Sequence, residues 1–356
     1  MFYVAAMTGD VGLPARRRRG GQGAGRASSY DVARLAGVSQ SAVSRAFRPG
    51  ASYISEDMRQ KVLAAAEQLG FRPNAMARGL ATSRSGIVAV VLGTIGNPVY
   101  PAVLQALGRQ LSARALQILL LTELDAPETV VQRALQYQAE AMIVTASVNL
   151  EPSRLIAARC RGAGLPLVLY NRSLPGMAVP AVTCASREGG RLVADLLLRA
   201  GHSRLAVLDG SQETSANIDK REGFGERVAA ALGGPPMRET GDFSPEGGRS
   251  ALLRLMRRPT PPDAVFCTND IMAIGAIDAA RHELGLRIPE DLSVVGFDDI
   301  PMAAWPSYGL TTVRQRVDAM AETAVELVCA AIAGQTSAVP AEVPVDLVLR
   351  TSARLP

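Results

Sequence analysis

The 356-residue chain has little of several side chains that carry chemistry elsewhere. It has two histidines, His202 and His282, which leave little for a metal site or a His-based catalytic triad. His202 follows Gly201 just before a strand pattern and reads as structural. The four cysteines, Cys160, Cys184, Cys267 and Cys329, are scattered and form no Cys-x-x-Cys pair. They read as reduced thiols in a cytoplasm, not as a disulfide framework or a zinc site. There is no G-x-S-x-G, no G-x-x-x-x-G-K-[ST], and no G-x-G-x-x-G after a first strand. The sequence therefore offers no hydrolase or nucleotide-binding signature, and it calls for no cofactor. No apolar run is long enough to span a membrane. The short FYVAAM run precedes the arginine cluster, the wrong order for an export signal.

Lysine is almost absent too. Only Lys61 and Lys220 occur, so the basic charge is nearly all arginine. That charge is unevenly placed. Residues 1–85 hold 13 Lys+Arg against 5 Asp+Glu, whereas the remainder holds 25 against 28. A basic head on a near-neutral body is the footprint of nucleic-acid binding by one module. Residues 1–27 contain RRRRGGQGAGR and are expected to form a disordered basic leader. It either reaches DNA phosphates or is dispensable.

Residues 28–73 read as a helix-turn-helix module. Ser28 and Asp31 have capping-box spacing. Val32, Leu35 and Ala36 supply an apolar face for the first helix. Gly37 sits where the chain must turn sharply. Ser39 then caps a second helix, Gln40 to Phe47, with Ala42, Val43 and Ala46 facing inward. Gln40, Ser41, Ser44 and Arg45 remain on its outer face. Gln and Arg can pair bidentately with adenine and guanine edges, and Ser suits phosphates or bases. Ser39, Gln40, Ser41, Ser44 and Arg45 are therefore the candidate DNA contacts. A third helix, Glu56 to Leu69, is expected to bury Val62, Leu63, Ala66 and Leu69.

From Gly86 onward, apolar strands alternate with helices. Strands are expected at 87–93, 117–123, 141–147, 166–170, 205–210, 264–268 and 292–297, with a last one at 343–349. This alternation means parallel sheets covered by helices. Ligands bind such sheets beyond the carboxyl ends of the strands. Asn97, Val99, Tyr100, Asn171, Arg172, Asn269, Asp270, Asp298 and Asp299 all follow strands. Carboxylates, amides and an aromatic wall suit a polyhydroxylated ligand. Asp270 and Asp299 either face that ligand or fix loops, and Trp305 lies near the same cleft.

YDVARLAGVSQSAVSR followed by FRPNAMARGLA resembles the lactose repressor (LacI/GalR) family of bacterial transcription regulators. VVLGTIGNPVYP, GHSRLAVLDG, DKREGF, FCTNDIMAIGA, IPEDLSVVGFDD and LTTVRQRV resemble that family's later landmarks, in the same order, so the likeness spans residues 28–354. It implies an N-terminal all-α helix-turn-helix module plus an α/β periplasmic-binding-protein-like effector domain. That domain, residues 86–356, would hold two Rossmann-like subdomains, with chain crossovers near 184 and 311–315. Residues 74–85 would be a hinge helix and linker, too short and too weakened by Gly79 to be stable alone. The resemblance adds Asn74 and Leu80 to the DNA contacts, Leu80 as a minor-groove wedge. It implies Val99, Asn171, Lys220, Phe243, Asn269 and Asp298 as effector contacts, and Tyr100 joins them as part of the cleft wall. Lys220 stands where the family has arginine, so either Lys220 or its neighbour Arg221 fills that role. The expected protein is a cytoplasmic, ligand-responsive regulator, a repressor binding palindromic double-stranded operator DNA as a homodimer. Its effector would be a sugar or related metabolite, and it would have no membrane partner. The alternatives are a soluble sugar-binding protein without specific DNA recognition, an enzyme on a doubly wound fold, and a nonspecific nucleoid protein.

Overall fold

The structure, a computed structural model, describes residues 27–47, 54–72, 84–93, 96–122, 126–145, 148–210, 214–335 and 340–356. The chain forms two compact units, Met1–Arg78 and Gly79–Pro356.

The first unit contains α1 (Ser29–Ala36), α2 (Gln40–Ala46) and α3 (Glu56–Gln68). At the start of α1, Asp31 N donates to Ser28 Oγ at 3.3 Å, and Ser28 N donates to Asp31 Oδ2 at 3.0 Å. These reciprocal bonds satisfy donors that a helix start leaves open. Gly37 ends α1 with φ 66°, a left-handed conformation that glycine adopts without steric cost. Ser39 caps α2, accepting from Ala42 N at 3.2 Å. The core is small: Val32, Ala33, Val43, Ala46, Val62, Ala65 and Ala66. It differs from the expected stripe at three leucines. Leu35 is 47% exposed, because an eight-residue helix packing on both α2 and α3 buries an arc centred on Val32 and Ala33. Leu63 is only half-buried and Leu69 is exposed. The chain reverses at Gly70, where Phe71 N donates to Ala66 O at 2.8 Å, and Phe71 packs on the core instead.

The second unit contains two six-stranded sheets. The first sheet uses β1 (Ile87–Leu92), β2 (Gln117–Thr122), β3 (Ala141–Thr145), β4 (Leu167–Tyr170), β5 (Ala181–Cys184) and β11 (Ala341–Val343). Their order is β11-β5-β4-β3-β1-β2, all parallel. Helices α4 (Val99–Ser112), α5 (Pro127–Gln136), α6 (Leu150–Ala163) and α11 (Val317–Ile332) belong to this lobe. The second sheet uses β6 (Leu205–Asp209), β7 (Met237–Thr240), β8 (Ala264–Cys267), β9 (Ser293–Asp298), β10 (Thr311–Gln315) and β12 (Val345–Val348). Its order is β12-β10-β9-β8-β6-β7, with only β12 antiparallel. Helices α7 (Ser186–Arg199), α8 (Ser215–Leu232), α9 (Pro245–Met256) and α10 (Asp270–His282) belong to the second lobe.

The chain passes between lobes after β5, after β10, and a third time at Pro344. The single strand expected at 343–349 is therefore two strands in two sheets. Val343 pairs with Cys184 in the first sheet, and Val345 pairs with Gln315 in the second. Proline has no N–H for a ladder, so the break falls there. The four-residue strands β5 and β7, and helix α7, go beyond the alternation read from the sequence. The edge strand β7 reads MRET and has no apolar run to signal it. Helices α7 and α8 touch backbone to backbone: a Cβ on Gly190 would lie 2.2 Å from the Lys220 carbonyl oxygen. That contact fixes the position of α8 and hence of Lys220.

Candidate functional sites

In the first unit, Ser39, Gln40, Ser41, Ser44 and Arg45 are all exposed on or beside α2. Their hydrogen bonds are local. Gln40 Nε2 donates to Ser29 Oγ at 2.8 Å, and Arg45 Nε donates to the Ser41 carbonyl at 3.3 Å. Such surface bonds exchange readily for bonds to another polar partner. This face carries no acidic side chain, so it presents donors and one cation to its surroundings. Asn74 and Leu80 lie outside the described residues.

In the second unit, a cavity of about 460 Å³ lies beyond the carboxyl ends of the strands. Val99, Tyr100, Asn171, Lys220, Phe243, Asn269 and Asp298 all line it, so the structure brings these seven together. Three of them owe their place to a strand end. Asn171 follows β4, Asn269 follows β8 and begins α10, and Asp298 ends β9. Asn171, Phe243 and Asp298 have φ of 55°, 61° and 126°. Three non-glycine residues with such backbones around one cavity is a pattern more common at functional sites than elsewhere.

A chain of hydrogen bonds crosses the cleft. Asn171 Nδ2 donates to Gln315 Oε1 at 2.9 Å, Gln315 Nε2 donates to Asp298 Oδ1 at 2.6 Å, and Asn97 Nδ2 donates to Asp298 Oδ2 at 3.4 Å. It therefore runs from the first lobe into the second and back. Burial pushes the Asp298 carboxyl above its ordinary range, while Lys220 and these donors pull it down. Asn269 divides its amide between two tasks. Its Oδ1 accepts from Met272 N at 3.1 Å and caps α10. Its Nδ2 is buried and has no hydrogen-bond partner, as is the Tyr170 hydroxyl on the first lobe. Buried polar groups without partners are costly and point to a missing acceptor.

Lys220, not Arg221, lines the cavity. Arg221 Nη1 donates instead to Asp209 Oδ2 at 2.6 Å. Asp270 and Asp299 fix loops. Asp270 accepts from Ile300 N at 2.9 Å and from Thr312 Oγ1 at 2.5 Å. Asp299 accepts from Arg314 Nε at 2.6 Å and Arg350 Nη2 at 2.7 Å. Arg172 is fully buried and turns to Ser153 and the Asn149 carbonyl, away from the lining. Trp305 is 54% exposed and lines no part of the cavity, because it follows a short 3₁₀ turn that carries it outward. His202 is structural: its Nε2 lies 2.9 Å from Ser293 Oγ, and Arg354 Nη2 lies 2.8 Å from its Nδ1. Burial lowers its pKa, which favours the neutral ring.

Gln315 and Asn97 sit at the centre of the site, although neither stands among the contacts that the resemblance implied. Gln315 was legible only as part of a crossover. The register that sets Arg314 beside Asp298 is what brings it there. Among the described residues, no cluster of His, Cys, Asp and Glu is arranged to hold a metal ion. No helix among them is long and apolar enough to cross a membrane.

Residues 30–74 match the bacterial regulatory proteins of the lacI family, and residues 194–353 match a periplasmic binding protein-like domain. The HTH-type transcriptional regulator GalS of Salmonella typhimurium is 34% identical over 315 residues, covering 85% of this chain and 89% of its own. The transcriptional regulator CelR in complex with cellobiose superposes with a TM-score of 0.70 at 28% identity, covering 92% of this chain and 100% of its own. The lac repressor dimer bound to operator and the anti-inducer ONPF gives a TM-score of 0.83 at 26% identity, covering 92% and 99%.

Proposed function

Because this chain belongs to the lacI family of bacterial regulatory proteins, we propose that it represses transcription as a homodimer on a palindromic operator and answers to a sugar-like effector. The observation that carries this reading is the presence of two unlike sites on one chain. One is an exposed, acid-free helix face; the other is a cavity lined by Asn269, whose buried amide nitrogen has no partner. The lacI-type match of residues 30–74 sets aside a sugar-binding protein without DNA recognition.

In this reading α2 enters the major groove, with Gln40, Ser41 and Arg45 on base edges and Ser39 and Ser44 on phosphates. A two-fold dimer presents two such helices to matching half-sites. Asn74 and Leu80 contact the operator centre, where two Leu80 wedges unstack a base step and bend the duplex. Val99, Tyr100, Asn171, Phe243, Asn269 and Asp298 surround the effector. The effector acts by favouring one arrangement of the lobes over another. The chain regulates and does not turn over its ligand, and it works in the cytoplasm.

Selection of bound fragments from genomic DNA tests the reading. A palindromic motif near genes of sugar metabolism is expected. Binding of all fragments alike would instead indicate a nonspecific nucleoid protein.

A further inference from the structure

The cation of the cavity is already partnered within the protein. Lys220 is the one cation among the described residues that line it, and only 9% of its side chain is exposed. Its ammonium donates to the Thr268 carbonyl at 3.0 Å. It also lies 3.5 Å from Asp298 Oδ1 and 3.8 Å from the centre of the Phe297 ring. An ammonium has three N–H donors, and a carbonyl, a carboxylate and an aromatic face are a full set of partners. A guanidinium has five donors in a fork and would have some to spare; lysine does not.

Two carboxylates also line the cavity, Asp298 and Asp242. Asp298 is held by Lys220, Gln315 and Asn97, and Asp242 Oδ1 accepts from Ser244 N at 3.0 Å. An acidic ligand would meet both carboxylates and a lysine that is already neutralised, so its own desolvation would go uncompensated. The wall instead offers neutral partners: the unpartnered Asn269 Nδ2, the Tyr170 hydroxyl, and the apolar faces of Val99 and Phe243.

We propose that the effector is an uncharged polyhydroxylated molecule, and that Lys220 determines this specificity by neutralising Asp298 instead of receiving a ligand carboxylate or phosphate. The proposal rests on the reading of this cavity as the effector site.

Matched sugars titrated into the full-length protein by calorimetry test it. The sets are D-glucose with D-glucuronate and D-glucosamine, D-galactose with D-galacturonate, and D-ribose with D-ribose 5-phosphate. In any set that binds, the neutral sugar binds at least tenfold tighter. A charged member that binds tighter than its neutral partner overturns the proposal.

A ligand-free arm decides the matter when no set binds. Lys220→Met, Asp298→Asn and the double variant are unfolded in urea at pH 5 and pH 8. Without Lys220, the titratable groups left acting on Asp298 are Asp270 and Cys184, neither of them cationic, while Arg314 on the neighbouring strand is paired with Asp299. The Asp298 carboxyl then favours its protonated form when folded, so stability is present in acid and lost as pH rises. Lys220→Met should therefore lose far more stability at pH 8 than at pH 5, relative to wild type, and the added Asp298→Asn should restore it. Additive effects without pH dependence, or failure of the double variant to fold, overturn the proposal. A Lys220→Met chain that folds only when Asp298→Asn is added supports it. Operator binding by the wild-type chain reports separately on the regulator reading, and its failure would leave the charge result standing.

Discussion

The outer face of α2 and the cavity of the second unit use similar side chains in opposite ways. On α2, Gln40, Ser41, Ser44 and Arg45 are exposed, and their bonds run to near neighbours on the surface. In the cavity, Asn171, Lys220, Asn269 and Asp298 are buried, and most of their polar atoms are already paired within the protein, two of the bonds crossing the cleft. The first arrangement adds little to stability and leaves its donors available. The second ties binding groups into the fold, so that a ligand must compete with the protein's own bonds. Substitution should therefore separate the two sites: function alone is lost in one, function and stability together in the other.

The largest effect is expected at Asp298. Asp298→Ala leaves the buried Lys220 ammonium without its counter-charge and should destabilise the second unit by about 3–5 kcal/mol. Urea unfolding measures this, and a loss below about 1 kcal/mol would show that solvent reaches Lys220 and that the comparison overstates burial. Next is Arg45→Ala. It should leave stability within about 0.5 kcal/mol, as expected of a surface change. It should also remove about 1–3 kcal/mol of discrimination at one base pair of the operator. Equal weakening on operator and random DNA would reduce Arg45 to a phosphate contact. Ser39→Ala should remove the α2 cap and lower the stability of the first unit by about 1 kcal/mol. Hydrogen exchange along α2 reads this, and unchanged protection would mean that water replaces the cap.

The same contrast explains what was legible in the sequence. The first unit is built from short-range rules, such as the Ser28–Asp31 box, Gly37 and the Ser39 cap, each readable over a few residues. Errors there came from packing: Leu35 and Leu69 fit a helical stripe, but Ala33 and Phe71 fill the space. In the second unit the strand ends were readable from apolar runs, and so were Asn171, Asn269 and Asp298 beyond them. Gln315 was not, because it reaches the cavity through register with β9, a long-range fact. The split at Pro344 was hidden in the same way, since VPVDLVL reads as one strand until two sheets compete for its halves. The fate of Lys220 depended on three partners that sequence spacing does not bring together.

The central claim is that the cavity governs the reading head without sharing its residues. The direct measurement is fluorescence anisotropy of a selected operator fragment, titrated with wild type and with Asp298→Asn, each with and without the sugar that binds the wild-type cavity. Wild type should change its operator affinity when the sugar is added. Asp298→Asn keeps the side-chain shape but removes the Lys220 counter-charge, so it should be less stable than wild type; under conditions where it stays folded it should bind the operator as wild type does and no longer respond to the sugar. An Asp298→Asn protein that still responds fully, or a wild type whose operator affinity is indifferent to bound sugar, would contradict the account.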